Sequence, residues 1–271
     1  MIHASSLRTR IGIAGASLAG LLAVVLSQTP ASATPPPAPA PAAGYGTIKG
    51  RLVWGGSSVP KPTIITQNKT KDPEVCAKET LYDRELIVDP ETKGIPNAFA
   101  YLPSPKGDNA ALEKEVVSKE PVVVIDQKNC EFIPFSTAAY KGQKIEFKSS
   151  DPIGHNVHYQ GFINTDNFAL GPNGAATKDL KAERRPINLT CDIHPWMTGN
   201  IMVLDHPFFD VTGKDGSFEI KGVPAGTQNL IVWQRKAGYV TSGKARGMAV
   251  QVKPDAVTDV GEIVLDPAAV K

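Results

Sequence analysis

The stretch that decides the reading is CDIHPWM, from Cys191 to Met197. It carries a thiol, an imidazole and a thioether at Cys191, His194 and Met197, each three residues apart. A loop leaving a strand end brings donors at that spacing to one point. Thiolate with thioether suits copper, whereas a zinc site adds further Cys or carboxylate. A trigonal copper site needs two His, one Cys and a weak axial Met, so a second His must come from elsewhere.

Four other His are available. His3 sits in an apparent leader, and His206 lies past the strand that follows the loop. His155 and His158 remain, in GHNVHY, after the alternating strand pattern of Ile145 and Phe147. Residues three apart in extended chain face opposite sides, so one of the two points at the metal. We assign His155, with Asn156 placed to hydrogen-bond the Cys191 loop and hold the two ligand segments together.

The pair HNVH and CDIHPWM resembles the cupredoxins, the blue copper proteins, of the amicyanin and plastocyanin type. The resemblance runs from about Val122 to Leu204. It implies a Greek-key β-sandwich over 121–206 and a mononuclear type 1 copper site. Its implied ligands are His155, Cys191, His194 and Met197. Asn156 and Pro195 would support them, and Trp196 would lie in the docking patch beside an exposed His194 edge. His158 matches a position that is not a ligand. Electron transfer to a redox partner protein is the implied function. The Phe162–Leu180 segment, rich in Gly, Asn and Asp, departs from the pattern and is placed to cover part of the site.

Counting limits the alternatives. Three Cys in an exported chain leave one over. With Cys191 as ligand, Cys76 and Cys130 are free to pair, which would stabilise the fold by up to roughly 4 kcal/mol. A multicopper oxidase needs roughly ten His, and a binuclear copper centre needs a second Cys in the loop. A haem-attachment motif and Gly-rich phosphate loops are both absent from the sequence. No enzymatic activity is expected. Two other functions stay open. One is copper handling without a redox partner; the other is a β-sandwich interaction module on a cupredoxin scaffold.

The flanking chain is also β in pattern. Apolar runs bounded by Gly, Pro and Asp mark strands at Ile48–Trp54, Leu86–Val88, Ala98–Leu102, Val122–Ile125 (a buried run), Ile201–Leu204 and Leu230–Trp233. Asp215-Gly216 reads as a hairpin turn. Short helices are expected at Pro73–Thr80 and Asn109–Ser118. FFDVTGKDGSFEIKGVPAGTQNLIVW, from Phe208, resembles the carboxypeptidase regulatory-like, or transthyretin-like, β-sandwich, placed at 207–268. GTIKGRLVWGG, from Gly46, resembles that family's opening strand. The N-terminal β region, 45–120, therefore either pairs with the C-terminal sandwich or extends the cupredoxin. The fused arrangement is similar to exported bacterial proteins labelled methylamine utilization proteins. The expected fold class is all-β, with two sandwiches.

Residues 1–33 read as a Sec-type signal peptide: Arg8 and Arg10, an apolar run from Ile11 to Leu26, then Ala31-Ser32-Ala33. The run is shorter than the roughly 20 apolar residues of a membrane span. A Pro/Ala-rich linker, 34–44, follows. Losing the leader takes the formal charge from +2 to about zero, which gives no basic face for nucleic acid. The mature form is expected to be periplasmic or secreted, without a membrane span.

Overall fold

The computed structural model describes residues 44–65 and 70–271. The expected leader and residues 34–43 of the linker lie outside the described residues. The described chain is almost wholly β. It begins with β1 (Tyr45–Trp54), α1 (Pro73–Cys76), β2 (Phe99–Tyr101) and α2 (Ala110–Lys119). Then come β3 (Val122–Lys128), β4 (Glu131–Ile133), β5 (Ser136–Tyr140), β6 (Lys144–Ser149) and β7 (His155–Gln160). The next are β8 (Thr165–Leu170), β9 (Ala175–Lys178), β10 (Ile187–Thr190), β11 (Thr198–Leu204) and β12 (Phe209–Val211). The last are β13 (Ser217–Pro224), β14 (Gly226–Gln234), β15 (Gly238–Tyr239), β16 (Met248–Val252) and β17 (Val257–Leu265).

These strands form four sheets. Their orders are β13-β1-β17, β12-β2-β14 with β15 and β16 on β14, β5-β11-β10-β7-β8, and β4-β3-β6-β9. Strands β1 and β2, from the N-terminal region, thus pair with strands from the C-terminal region.

Alternation sorts the side chains of each strand between two faces, and three apolar clusters show the stacking. Ile48 and Leu52 of β1 pack with Ala100 of β2 and with Leu230 and Val232 of β14. The intervening residues, Phe99, Tyr101 and Ile231, face the other way and pack with Met202 and Leu204 of β11. The remaining β11 residues, Ile201 and Val203, join Val157 and Leu189 against Ile125, Phe132 and Phe147. The sheets are therefore four successive layers, and β2, β14 and β11 are buried on both faces. This explains their unbroken apolar runs, which a half-exposed strand would not carry. Each fully buried aliphatic side chain contributes about 1.5–3 kcal/mol. Arg235 stitches the middle layers together. Its guanidinium donates to Asn188 Oδ1 at 2.8 Å, to Asn200 Oδ1 at 2.7 Å and to Glu85 Oε1 at 2.7 Å.

Several local expectations change. Leu86–Val88 is not a strand. Side-chain-capped turns bracket the run: Asp83 accepts the Glu85 N–H before it, and Asp89 accepts the Glu91 and Thr92 N–H groups after it. Leu86 and Val88 still pack on the first core from a loop. The Val122–Ile125 run is not buried throughout: Ile125 is buried but Val124 is exposed. Its sheet is an outer layer with one face in water. Asp215-Gly216 does not close a hairpin, because β12 and β13 belong to different sheets. Gly216 instead lies against β1, with its carbonyl accepting the Leu52 N–H at 2.8 Å. The first expected helix shrinks to Pro73–Cys76, and the second is Ala110–Lys119, capped by Asn109 Oδ1 on the Leu112 N–H at 3.1 Å.

Candidate metal centre

Two segments meet at one end of the layer containing β7, β10 and β11. The Cys191–Met197 loop joins β10 to β11, whose pairing ends at Thr190 opposite Thr198. The Cys191 N–H donates to the Met197 carbonyl at 3.2 Å, and the Met197 N–H to the His194 carbonyl at 2.9 Å. Thr190 also pairs with His158 of β7, which sets the start of β7 beside the loop. His155 opens that strand and points inward, whereas His158 points outward to Asp192 at 2.9 Å.

The donor atoms converge. His155 Nδ1 lies 2.9 Å from His194 Nδ1, and Cys191 Sγ lies 3.8 Å from the latter. The ligand atoms of His155, Cys191 and His194 are all within 4.8 Å of one another, and all three residues are buried. The outer ring nitrogens are held by carboxylates: His155 Nε2 by Asp151 Oδ2 at 2.9 Å, and His194 Nε2 by Asp72 Oδ2 at 2.8 Å. A carboxylate only accepts, so each Nε2 carries a hydrogen, and a neutral ring then has its lone pair on Nδ1. With both rings neutral, two lone pairs and a sulfur face one buried spot, and a proton held there turns one Nδ1 into a donor to its neighbours. The cluster calls for a cation, either a proton or a metal ion, and its donor set of two imidazoles and a thiolate is that of copper.

The acid–base balance fits this arrangement. Burial pulls His155 down, but the Asp151 hydrogen bond and the neighbouring Cys191 outweigh it and push the ring up to about 9. Burial pushes the Cys191 thiol up, yet hydrogen bonds from His155, His194 and the Asn156 N–H bring it down to about 6. Asp151 is lowered. Its burial is overcome by His155 and by the N–H groups of Cys130 and Asn129. The centre thus favours thiolate beside a cation near neutrality.

The remaining sequence-predicted residues fall as follows. Asn156 joins the two ligand segments. Its N–H donates to Cys191 Sγ at 3.4 Å, and its Oδ1 accepts the Asp192 N–H at 2.5 Å and the Ile193 N–H at 3.4 Å. Met197 is buried in the same apolar cluster as Cys191. Pro195 is exposed, and Trp196 is half-buried, with Nε1–H donating to the Cys130 carbonyl at 3.2 Å. The Trp196 ring stands 5.2 Å from that of His194. Cys76 and Cys130 form a disulfide.

One expectation is overturned. The His194 ring has no solvent-facing edge; it is 0% exposed. The cover over its outer nitrogen is Asp72, not the Phe162–Leu180 segment. That segment forms β8 on the flank of β7 and β9 on β6; it hydrogen-bonds to the loop through Asn167 on Asp192 at 2.7 Å and shares an apolar cluster with it. Asp151 and Asp72 are the functional residues that motif reading missed. Asp151 precedes His155 by one short turn, a faint signal. Asp72 is separated from its partner by 122 positions and has none.

No family model matches the chain, and no curated protein matches it. Solved structures do. A reduced amicyanin variant is 21% identical over 38% of this chain and 97% of its own, at a TM-score of 0.28. A Cu(I) amicyanin variant is 20% identical with the same coverage, at 0.27. The copper-containing nitrite reductase from Thermus scotoductus SA-01 is 20% identical over 30% of this chain, at 0.27. The match spans 22% of that enzyme's length.

Proposed function

We propose that the chain is an exported mononuclear type 1 copper protein that carries electrons. The carrying observation is the buried cluster of His155 Nδ1, His194 Nδ1 and Cys191 Sγ, three electron-pair donors around one spot. Met197, at the loop end, is the proposed weak axial ligand. Bound copper would supply a one-electron Cu(II)/Cu(I) couple. The protein's part is to hold the ligands still. Asp151 and Asp72 fix both rings in one tautomer, and Asn156 ties the loop to β7. Ligands that barely move make electron transfer cheap in reorganisation. A disulfide supports an oxidising compartment, and no described helix is long and apolar enough to cross a membrane. The carrier reading needs a redox partner protein and no catalytic residue.

Copper loading followed by visible spectroscopy tests this reading. An intense thiolate-to-copper band that bleaches reversibly on one-electron reduction is the expected result. Absence of copper uptake overturns it and leaves the interaction-module reading. The buried His194 ring favours a second reading, a copper-holding protein without a redox partner. Tight binding with slow, incomplete redox cycling would select that one.

A further inference from the structure

The connection from β1 to β2 takes a detour. Trp54 and Phe99 end strands of adjacent layers, and both layers lie on the far side of the metal-bearing sheets. Crossing between adjacent layers needs only a short loop. Instead the chain runs out over the metal end. Ile64 bridges to Tyr82 there, Cys76 is bonded to Cys130, and Arg84 pairs with Glu131 at 3.4 Å. The chain returns past Glu85, whose backbone carbonyl accepts from Gln234 Nε2 at 2.6 Å.

The detour places Asp72 on His194. Asp72 sits just before α1, with φ 52° and ψ 54°. Its carbonyl accepts the N–H groups of Val75 and Cys76 at 3.0 and 2.9 Å, so its position is tied to that of Cys76. The disulfide fixes Cys76 to Cys130. The Cys130 N–H donates at 2.9 Å to Asp151 Oδ2, the same oxygen that holds His155 Nε2. The Cys130 carbonyl accepts from Trp196 beside His194. One covalent bond therefore links the backbone that seats Asp72 to the backbone that seats Asp151.

We propose that residues 70–76 are a fixed cap on the metal centre, pinned by the Cys76–Cys130 disulfide, in which Asp72 is the positioning residue of His194. The cap sets the His194 tautomer and closes the ring edge to solvent. This rests on His194 being a metal ligand, but the geometry of the cap does not need the metal to be present. The nearby Asp151–His155 pair gives the same service to the other ring without any detour, because Asp151 comes from the turn before β7.

Long-range proton–nitrogen NMR spectra of the histidine rings test it on the full chain, metal-free and after adding Cu(I). In the unsubstituted protein His194 shows the Nε2–H form, with a ring N–H protected from exchange with water. Asp72→Ala speeds that exchange by about tenfold or more, the loss of one charge-assisted hydrogen bond. Asp72→Asn, whose side-chain oxygen still accepts, restores much of the protection. The double variant Cys76→Ser with Cys130→Ser matches Asp72→Ala, and parent-like protection there overturns the pinning by the disulfide. Unchanged exchange in Asp72→Ala overturns the cap. Failure of the copper reading looks different: adding Cu(I) leaves the Nδ1 signals of His155 and His194 unmoved, while the Asp72 effect persists.

Discussion

His155 and His194 face each other Nδ1 to Nδ1 across 2.9 Å, with the Cys191 sulfur completing a triangle. Of these three donors only the thiolate gives copper an intense visible transition. Cys191→Ser should leave the copper-loaded protein without its strong band. His158→Ala should keep the band, because that ring points away to Asp192. Absorption spectra of the two loaded variants decide both points, and a colourless His158→Ala would mean that the wrong histidine was assigned.

Met197 closes the ligand loop and is buried beside Cys191. As the proposed weak axial ligand it would tune the potential, by donating some charge that the more positive Cu(II) needs more than Cu(I) does. Met197→Leu should retain copper and colour while raising the reduction potential. Voltammetry of the variant against the parent reads the shift, and an unchanged potential would remove Met197 from the ligand set.

Asn156 holds Asp192 and Ile193 through one side-chain oxygen. Truncation leaves those N–H groups without that acceptor. Asn156→Ala should lower stability by about 1–3 kcal/mol and copper affinity by roughly 10–100-fold. Urea unfolding and a competitive copper titration measure the two effects. Affinity equal to the parent's would show that the loop keeps its shape unaided.

Gly216 has φ +80°, and a Cβ built there would stand 2.0 Å from the Leu52 carbonyl oxygen. Both the backbone angle and the contact exclude a side chain. Gly216→Ala should cost about 2–4 kcal/mol, read as a lower urea midpoint. Gly216 lies against β1, in a different sheet from the one that carries the Cys191–Met197 loop, so the spectrum of the folded, copper-loaded variant should be unchanged.

Burial alone would raise the Glu85 carboxyl, but Arg235 and Lys236 overcome it and hold the group below its ordinary value. The folded state therefore binds its proton more weakly than the unfolded chain does. The resulting stabilisation is present above the unfolded carboxylate range and is lost as pH falls through the folded value. Glu85→Gln should be less stable than the parent at pH 7, and the gap should shrink in acid. A gap that stays constant down to about pH 3 would contradict the depressed carboxyl.

Motif and periodicity made part of this molecule legible. Cys191 and His194 sit within one short loop, so their convergence follows from local geometry. Strand alternation allows only one of His155 and His158 to face inward, but the choice of His155 rests on the resemblance. The apolar runs of β2, β11 and β14 were legible as strands, but their burial on both faces was not, and the run read as buried, Val122–Ile125, has one face in water. Leu86–Val88 looked like a strand because an apolar run does not reveal the side-chain-capped turns at Asp83 and Asp89 that bracket it. Asp72 was hidden for a different reason: a contact across 122 positions, made by a detour, leaves no periodic trace.

The middle core has a consequence for how the molecule divides. Phe99, Tyr101 and Ile231 on one side and Met202 and Leu204 on the other are each other's solvent shield. A fragment cut out between the second and third layers would carry half of that core as bare hydrocarbon. It would dimerise or precipitate even with His155, Cys191 and His194 in place. The half that carries these donors is thus no detachable cassette. A body that grips the outermost layer grips the donor cluster as well, and turns it as a handle turns a key.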